Sequence, residues 1–183
     1  MILNSRNNLF NFQFPRNFVP KEVSDQYSKY LNRMPGNIIT EPIDFVNYAV
    51  QGINLPGLTY EPTTQQNFDG TIRYFRGSQP IQNLIQREFT VTMQLLDGFI
   101  NYWIMRDTML YYYSQGENEP YIEDLKLQLL DAEGIALASV LFERPLLKEI
   151  SELDLNMSSN TAEFNTFTCQ FQYNRYSVIL EID

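Results

Sequence analysis

The sequence predicts a mainly β fold with some helix (β+α): an antiparallel β-sandwich or barrel with one flanking α-helix and an extended N-terminal arm. Three observations predict it. In REFTVTMQLL, residues 87–96, polar and apolar side chains alternate from Glu88 to Leu95. A period of two belongs to a half-buried strand of an antiparallel sheet. FINYWIMRDTMLYYY, 99–113, is the one long helical pattern of the main body. Alternating runs then return, separated by the turn sequences DAEG at 131–134 and SSNT at 158–161. Strands on both sides of a single helix suit a small sandwich with that helix packed at one edge.

A chain of 183 residues, 44% of them apolar, can build one core. We divide it into an arm with a short helix, residues 1–42, and a sandwich domain, residues 43–183. In the arm, NLFNFQF (8–14) puts Phe10, Phe12 and Phe14 on one face and Leu9, Asn11 and Gln13 on the other, a short strand. VPKEVSDQYSKYLNRMPG (19–36) follows. Pro20 stands where a helix starts, Val23, Tyr27, Tyr30 and Leu31 recur at helical spacing, and Met34-Pro35-Gly36 stops it. NIITEPIDF (37–45) is expected to be extended.

DFVNYAVQGINLPG (44–57) alternates Phe45, Asn47 and Ala49 with Val46, Tyr48 and Val50, which predicts a strand closed by Leu55-Pro56-Gly57. A polar loop around Asp69-Gly70 leads into the strand TIRYF (71–75). The segment 61–77 is expected to order fully only on assembly. In REFTVTMQLL, Phe89, Val91, Met93 and Leu95 face inward. Asp97 is placed to cap the helix. Phe99, Trp103, Arg106 and Leu110 make one stripe of it, with the apolar three covering the open side of the sheet. The second half gives a hairpin around 131–134, a strand with Ile150, Leu153 and Leu155, and a long final strand in EFNTFTCQFQYNRYSVILEI (163–182). There Phe167, Cys169, Phe171 and Tyr173 alternate with Thr166, Thr168, Gln170 and Gln172. The expected core is therefore Phe89, Val91 and Met93, then Phe99, Trp103 and Leu110, then Phe167, Cys169 and Phe171.

Charge and composition remove several functions. The net charge is −9 and it is uneven: thirteen Asp and Glu against four Lys and Arg follow Gly116, and nine stand against nine before it. A surface of that sign does not grip nucleic acid, although nucleic acid can slide past it. There is no histidine. A Ser-His-Asp triad, a Cys-His pair and a His-ligated zinc are impossible in one chain. The single Cys169 excludes an intramolecular disulfide. No run of eighteen apolar residues is present, and 1–17 has no apolar signal core.

Each remaining motif has a plainer explanation than chemistry. Asp97 and Asp107 could form a carboxylate pair, but one is a helix cap and the other a surface charge beside Arg106. Glu149, Glu152, Asp154 and Glu163 lack the loop glycine of a calcium site. Cys169 has no base to activate it. Arg73, Tyr74, Phe75 and Arg76 interleave cations with rings as nucleic-acid platforms do, but two arginines are few. Tyr111, Tyr112 and Tyr113 have no basic cluster to hold a lipid surface. We therefore expect no enzyme, no cofactor, no metal and no membrane partner.

One family fits the order of these segments. INLPG, REFTVTMQLLDG, FINYWIMRDTMLYYY, LLDAEG and ISELDLNMSSNTAEFNTFTCQFQY resemble, over residues 44–173, the tail tube proteins of contractile-tailed bacteriophages. The resemblance implies two antiparallel sheets packed as a sandwich with a flanking helix. It implies six copies in a ring, inner sheets joined into one barrel, and rings stacked into a tube through which the genome passes without specific binding. Sheath, baseplate hub and tail terminator are the implied partners, and the virion, assembled in the host cytoplasm, is the implied location. On this reading three groups form subunit contacts: Leu55, Pro56 and Gly57; Phe68, Tyr74 and Phe75; and Tyr111, Tyr112 and Tyr113. The arm departs from the simplest tube subunits, which leaves a tube-initiator, baseplate hub or tail-terminus protein of the same fold as the alternative. A rival of another class is a carbohydrate- or receptor-binding β-sandwich module using Trp103 and the three tyrosines as a stacking platform. A core Trp103 favours the tube; an exposed Trp103 in a groove favours the module.

Overall fold

The computed structural model describes residues 9–33, 39, 41–59, 62–77, 86–115, 121–153 and 165–181. Along these residues the chain forms β1 (Phe10–Gln13), α1 (Lys21–Leu31), α2 (Pro42–Tyr48), β2 (Val50–Asn54), β3 (Thr63–Gln66), β4 (Ile72–Phe75), β5 (Glu88–Gln94), α3 (Ile100–Ser114), β6 (Leu125–Leu130), β7 (Ala136–Glu143), β8 (Leu146–Ile150), β9 (Thr166–Gln172) and β10 (Arg175–Leu180). The strands make two four-stranded sheets, ordered β1-β6-β7-β10 and β2-β5-β9-β8, plus the two-stranded hairpin β3-β4. Every pairing is antiparallel. The fold is mainly β with helices at its flank.

The core lies between the two sheets. Phe89, Val91 and Met93 of β5 and Phe167, Cys169 and Phe171 of β9 are buried, with polar residues alternating outward. From β7, Phe142 stacks on Phe89 at 4.2 Å, and Phe89 stacks on Phe171 at 5.2 Å. Each such ring contributes roughly 2–3 kcal/mol by leaving water. The β6–β7 hairpin turns at 131–135. There the Asp131 carboxylate accepts from the Glu133 and Ile135 amides, and Gly134 takes a φ of 85°.

Five expectations are corrected. The segment 42–48 is the helix α2, not part of an extended strand. Pro42 sits at its first turn, and Ile43, Val46 and Ala49 with Phe45 bury one side, a spacing of three and four. The alternation seen in 44–50 is the same residues read at the wrong period; the strand begins only at Val50.

The division at 42/43 is also not a structural boundary. β1 is the edge strand beside β6, and Phe14 stacks on Phe18 at 4.4 Å and approaches Phe171 at 5.8 Å. Asn47 of α2 grips Phe14 at both ends, its Oδ1 accepting from the Phe14 amide (2.7 Å) and its Nδ2 donating to the Phe14 carbonyl (3.2 Å). Among the described residues of the supposed arm, Phe12, Phe14, Phe18, Val23 and Leu31 are core. Met34-Pro35-Gly36, Leu155 and the 158–161 turn lie outside the described residues.

The last long strand is really two, in different sheets. The Tyr173 amide donates to the Arg87 carbonyl beside β5, and the next amide, Asn174, donates to Glu143 on β7. The chain changes sheet within one residue.

Helix α3 is turned opposite to expectation. It buries Asn101, Ile104, Met105, Thr108 and Tyr112. Trp103 (40%) and Leu110 (54%) are exposed, and Phe99 is half-buried. Nor does Asp97 cap the helix. Asp97 lies in a single 3-10 turn, and the residue before α3 is Phe99, held left-handed at φ 55° after Gly98 at 68°. The clamp is Asn101: its Nδ2 donates to the Gln94 carbonyl (2.7 Å) and its Oδ1 accepts from the Leu96 amide (3.1 Å). That fixes the end of β5 to the first turn of α3.

Candidate assembly surfaces

The outward face of the β2-β5-β9-β8 sheet follows from the alternation that buries its inner face. Register puts Thr90 beside Gln170, Thr92 beside Thr168, Gln94 beside Thr166 and Glu88 beside Gln172. Gln51 of β2 donates to Gln94 (3.0 Å). The strands of this sheet contain one cation, Lys148, and it pairs with Glu88, whose other oxygen accepts from Gln170 (2.7 Å). The result is a lane of hydroxyls and amides whose one strand cation is compensated, with the exposed Glu149 of β8 beside Gln170 adding negative charge. The outer face of the other sheet differs. It carries the ion pairs Lys126–Glu181 (2.7 Å) and Arg175–Glu143 (3.7 Å), and the Lys126 and Ser139 hydrogen bonds hold the Glu181 carboxyl below its usual range.

The edges of the polar sheet are β2 and β8. Four strands that alternate in direction leave the two edges running oppositely. In a row of copies related by rotation about the strand direction, β8 of one would lie antiparallel to β2 of the next, the pairing that satisfies edge backbone groups.

Beyond β2, Leu55 and Gly57 are exposed and Pro56 is half-buried. Leu55 and Pro56 border an open concavity of about 450 Å³ reaching Arg87, Glu88 and Gln172. The hairpin β3-β4 follows, tied at its tip by Asp69, whose carboxylate accepts from the Thr71 amide (3.0 Å) and hydroxyl (2.6 Å). All eight of its strand residues are exposed, and Phe68 at the tip is fully so. Of the residues expected at contacts, Phe68, Tyr74 and Phe75 share this ribbon.

The three helix tyrosines divide. Tyr113 is exposed and Tyr111 half-buried. Tyr112 is interior in the single subunit: its hydroxyl donates to the Phe18 carbonyl (3.2 Å), and burial, with Tyr111 and Glu123 nearby, pushes its pKa up to about 12. The same helix turn that exposes Tyr113 aims Tyr112 at the N-terminal segment. Trp103 lies on the outer helix face with Arg106 over its ring (5.6 Å) and Tyr102 against its edge (5.3 Å). It is neither core nor lining of a described groove, so neither of the two readings it was to decide gains from it.

Reactive chemistry is muted. The Cys169 thiol is buried against the Met93 sulfur (3.8 Å), and burial raises its pKa well above the usual range. Asp107 accepts from the Tyr27 hydroxyl (2.6 Å) and meets Arg106 (3.3 Å), so it joins α1 to α3 rather than standing solvated. Burial and that hydrogen bond raise the Tyr27 pKa. No helix among the described residues is long and apolar enough to cross a membrane.

Two antiparallel sheets, flanking helices and a projecting hairpin make up a β-rich β+α fold. A chain in the six-fold symmetrised baseplate of the anti-feeding prophage shares it, with a TM-score of 0.54 at 12% identity over 98% of this chain and 97% of that one. The anti-feeding prophage tube-terminating cap matches at a TM-score of 0.45, 12% identity, over 72% of this chain and 80% of its own. An Hcp protein matches at 0.40, 11% identity, over 93% and 97%. No protein family and no curated protein matches the chain by sequence.

Proposed function

We propose that this protein is a structural, non-catalytic subunit of a tail-tube-type particle, repeating in a closed ring whose channel is walled by the outward face of the β2-β5-β9-β8 sheet. One observation carries the reading. The same sheet combines oppositely directed free edges with a polar face whose lone strand cation is neutralised. The edges let copies join into a continuous wall. Along its strands the face offers a passing polyanion no unpaired Lys or Arg, the side chains phosphate contacts need.

A six-fold ring, the symmetry of the particle containing the TM 0.54 neighbour, would set twenty-four strands around the channel. At about 4.8 Å per strand the backbone diameter is about 37 Å, and strand tilt widens it. That neighbour is part of a baseplate and matches nearly the whole chain, N-terminal segment included, which supports a baseplate-proximal or initiating station within the tube. Sheath and other tail proteins would contact the helix side, where Trp103, Leu110 and Tyr113 are exposed. Sedimentation and negative-stain electron microscopy of the concentrated protein test the reading. Rings with a central opening are expected; compact oligomers without one would sink it.

A further inference from the structure

β5 begins at Glu88, so Arg87 stands just outside the polar lane, at the end of the strands that carry it. Its main chain is pinned from two sides. The Tyr173 amide donates to the Arg87 carbonyl (3.1 Å) and the Tyr173 hydroxyl donates to the Gln86 carbonyl, while the Gln86 amide donates to the Gly57 carbonyl (3.2 Å). Tyr173 is itself buried, with its ring against Phe89 and Phe142. An exposed arginine is thus carried on backbone that the core holds fixed. Among the described residues it pairs with no carboxylate.

Arg87 borders the concavity of about 450 Å³. Register places Asn54, Thr90 and Gln170 in one row across β2, β5 and β9, with Glu88 and Gln172 in the row nearer Arg87. These side chains and Gln86 line the same space. Its one carboxylate is already engaged, because Glu88 accepts from Lys148 and from Gln170. The side-chain amides of Asn54, Gln86 and Gln172 make no hydrogen bond among the described residues. What stays open is one positive charge beside several N–H donors. That set suits an oxyanion. A guanidinium forks onto phosphate oxygens, and neutral amides complete the shell. A metal cation would find no free carboxylate there.

We propose that this concavity is a phosphate site, with Arg87 as its charged contact and Gln86, Gln172 and Asn54 as neutral donors. The phosphate is either a free ion or one phosphodiester of a passing nucleic acid. The second source rests on the channel reading. It also divides the labour along the channel: the lane offers no open cation, and the end of the lane offers one per copy. A polyanion would slide along the wall and be held only at that mouth. Contacts that are weak singly act together there on one polymer, because repetition sets an Arg87 in every subunit of the ring.

Nuclear magnetic resonance of the isotope-labelled subunit at constant ionic strength tests it, with inorganic phosphate as the first probe. Saturable shifts are expected in the side-chain amides of Gln86 and Gln172 and in the Arg87 guanidinium, with a Kd on the order of 1 mM. Arg87→Gln should weaken the binding roughly tenfold. Arg16→Gln, an equally exposed arginine outside the concavity, should leave it unchanged. Shifts that do not saturate, or that survive Arg87→Gln, overturn the site. So do equal shifts with polyglutamate at the same charge concentration, which would mean an acidic peptide. A short DNA duplex separates the two sources. If it moves the same signals at or below the phosphate concentration of the free ion, the ligand is a phosphodiester. If it leaves them unmoved, the ligand is the free ion and the polymer is ruled out. Rings without phosphate shifts would remove the site and spare the channel; phosphate shifts in a protein that forms no ring would do the reverse.

Discussion

Asn101→Ala isolates the joint between the polar sheet and its helix. Asn101 is fully buried and makes two hydrogen bonds, to the Leu96 amide and the Gln94 carbonyl. Truncation removes both and strands two partly buried backbone groups, a loss of roughly 2–4 kcal/mol. Alanine's better helix propensity returns about 0.5 kcal/mol. The net loss of about 1.5–3.5 kcal/mol corresponds to a Tm lower by about 3–14 °C in a chain of this length. Asn101→Asp sharpens the test. A carboxylate still accepts from Leu96 but faces the Gln94 carbonyl oxygen at the distance where the amide donates, 2.7 Å. It should therefore be less stable than the alanine variant at neutral pH. Thermal unfolding gives the ranking, and hydrogen exchange at Leu96 should speed up in both variants. An Asn101→Ala protein within about 0.5 kcal/mol of the parent would refute the clamp.

Three further outcomes follow from single side chains. Thr108 Oγ1 is buried without a partner among the described residues, so Thr108→Val should raise stability by about 1 kcal/mol in denaturant titration. The Tyr112 pKa is raised from 10.0 to about 12, so its contribution is complete below the unfolded value and lost as pH rises through about 12. Tyr112→Phe should flatten the alkaline stability limb in that window and cost about 1 kcal/mol at neutral pH by losing the bond to Phe18. Trp103 is the only tryptophan and is partly exposed; its fluorescence should be quenched by acrylamide in the isolated subunit and protected where a partner covers the helix.

The sheets were legible in the sequence wherever one face is buried and the other wet. β5 and β9 carry that pattern in every residue, and Phe89, Val91, Met93, Phe167 and Phe171 fall inside accordingly. Legibility failed where two periods overlap. In 43–49 apolar residues are so dense that alternation and helical spacing both fit, and only Pro42 signals a helix start. In α3 both faces are apolar, so hydrophobicity could not choose between Trp103 and Ile104. Asn101 decided it, a polar residue drawn inside by backbone groups that need partners. Asn47 hid for the same reason. The neutral lane was visible as Thr and Gln alternation, but the pairing of Lys148 with Glu88 depends on β8 lying two strands from β5, which no local pattern encodes.

The most direct test of the channel is a cryo-electron microscopy map of the assembled protein at side-chain resolution. The account predicts a closed ring with β2 of each subunit against β8 of its neighbour, and Thr90, Thr168 and Gln170 facing an open bore. A map with those side chains on the outside, or packed against another protein with no bore between them, would contradict it.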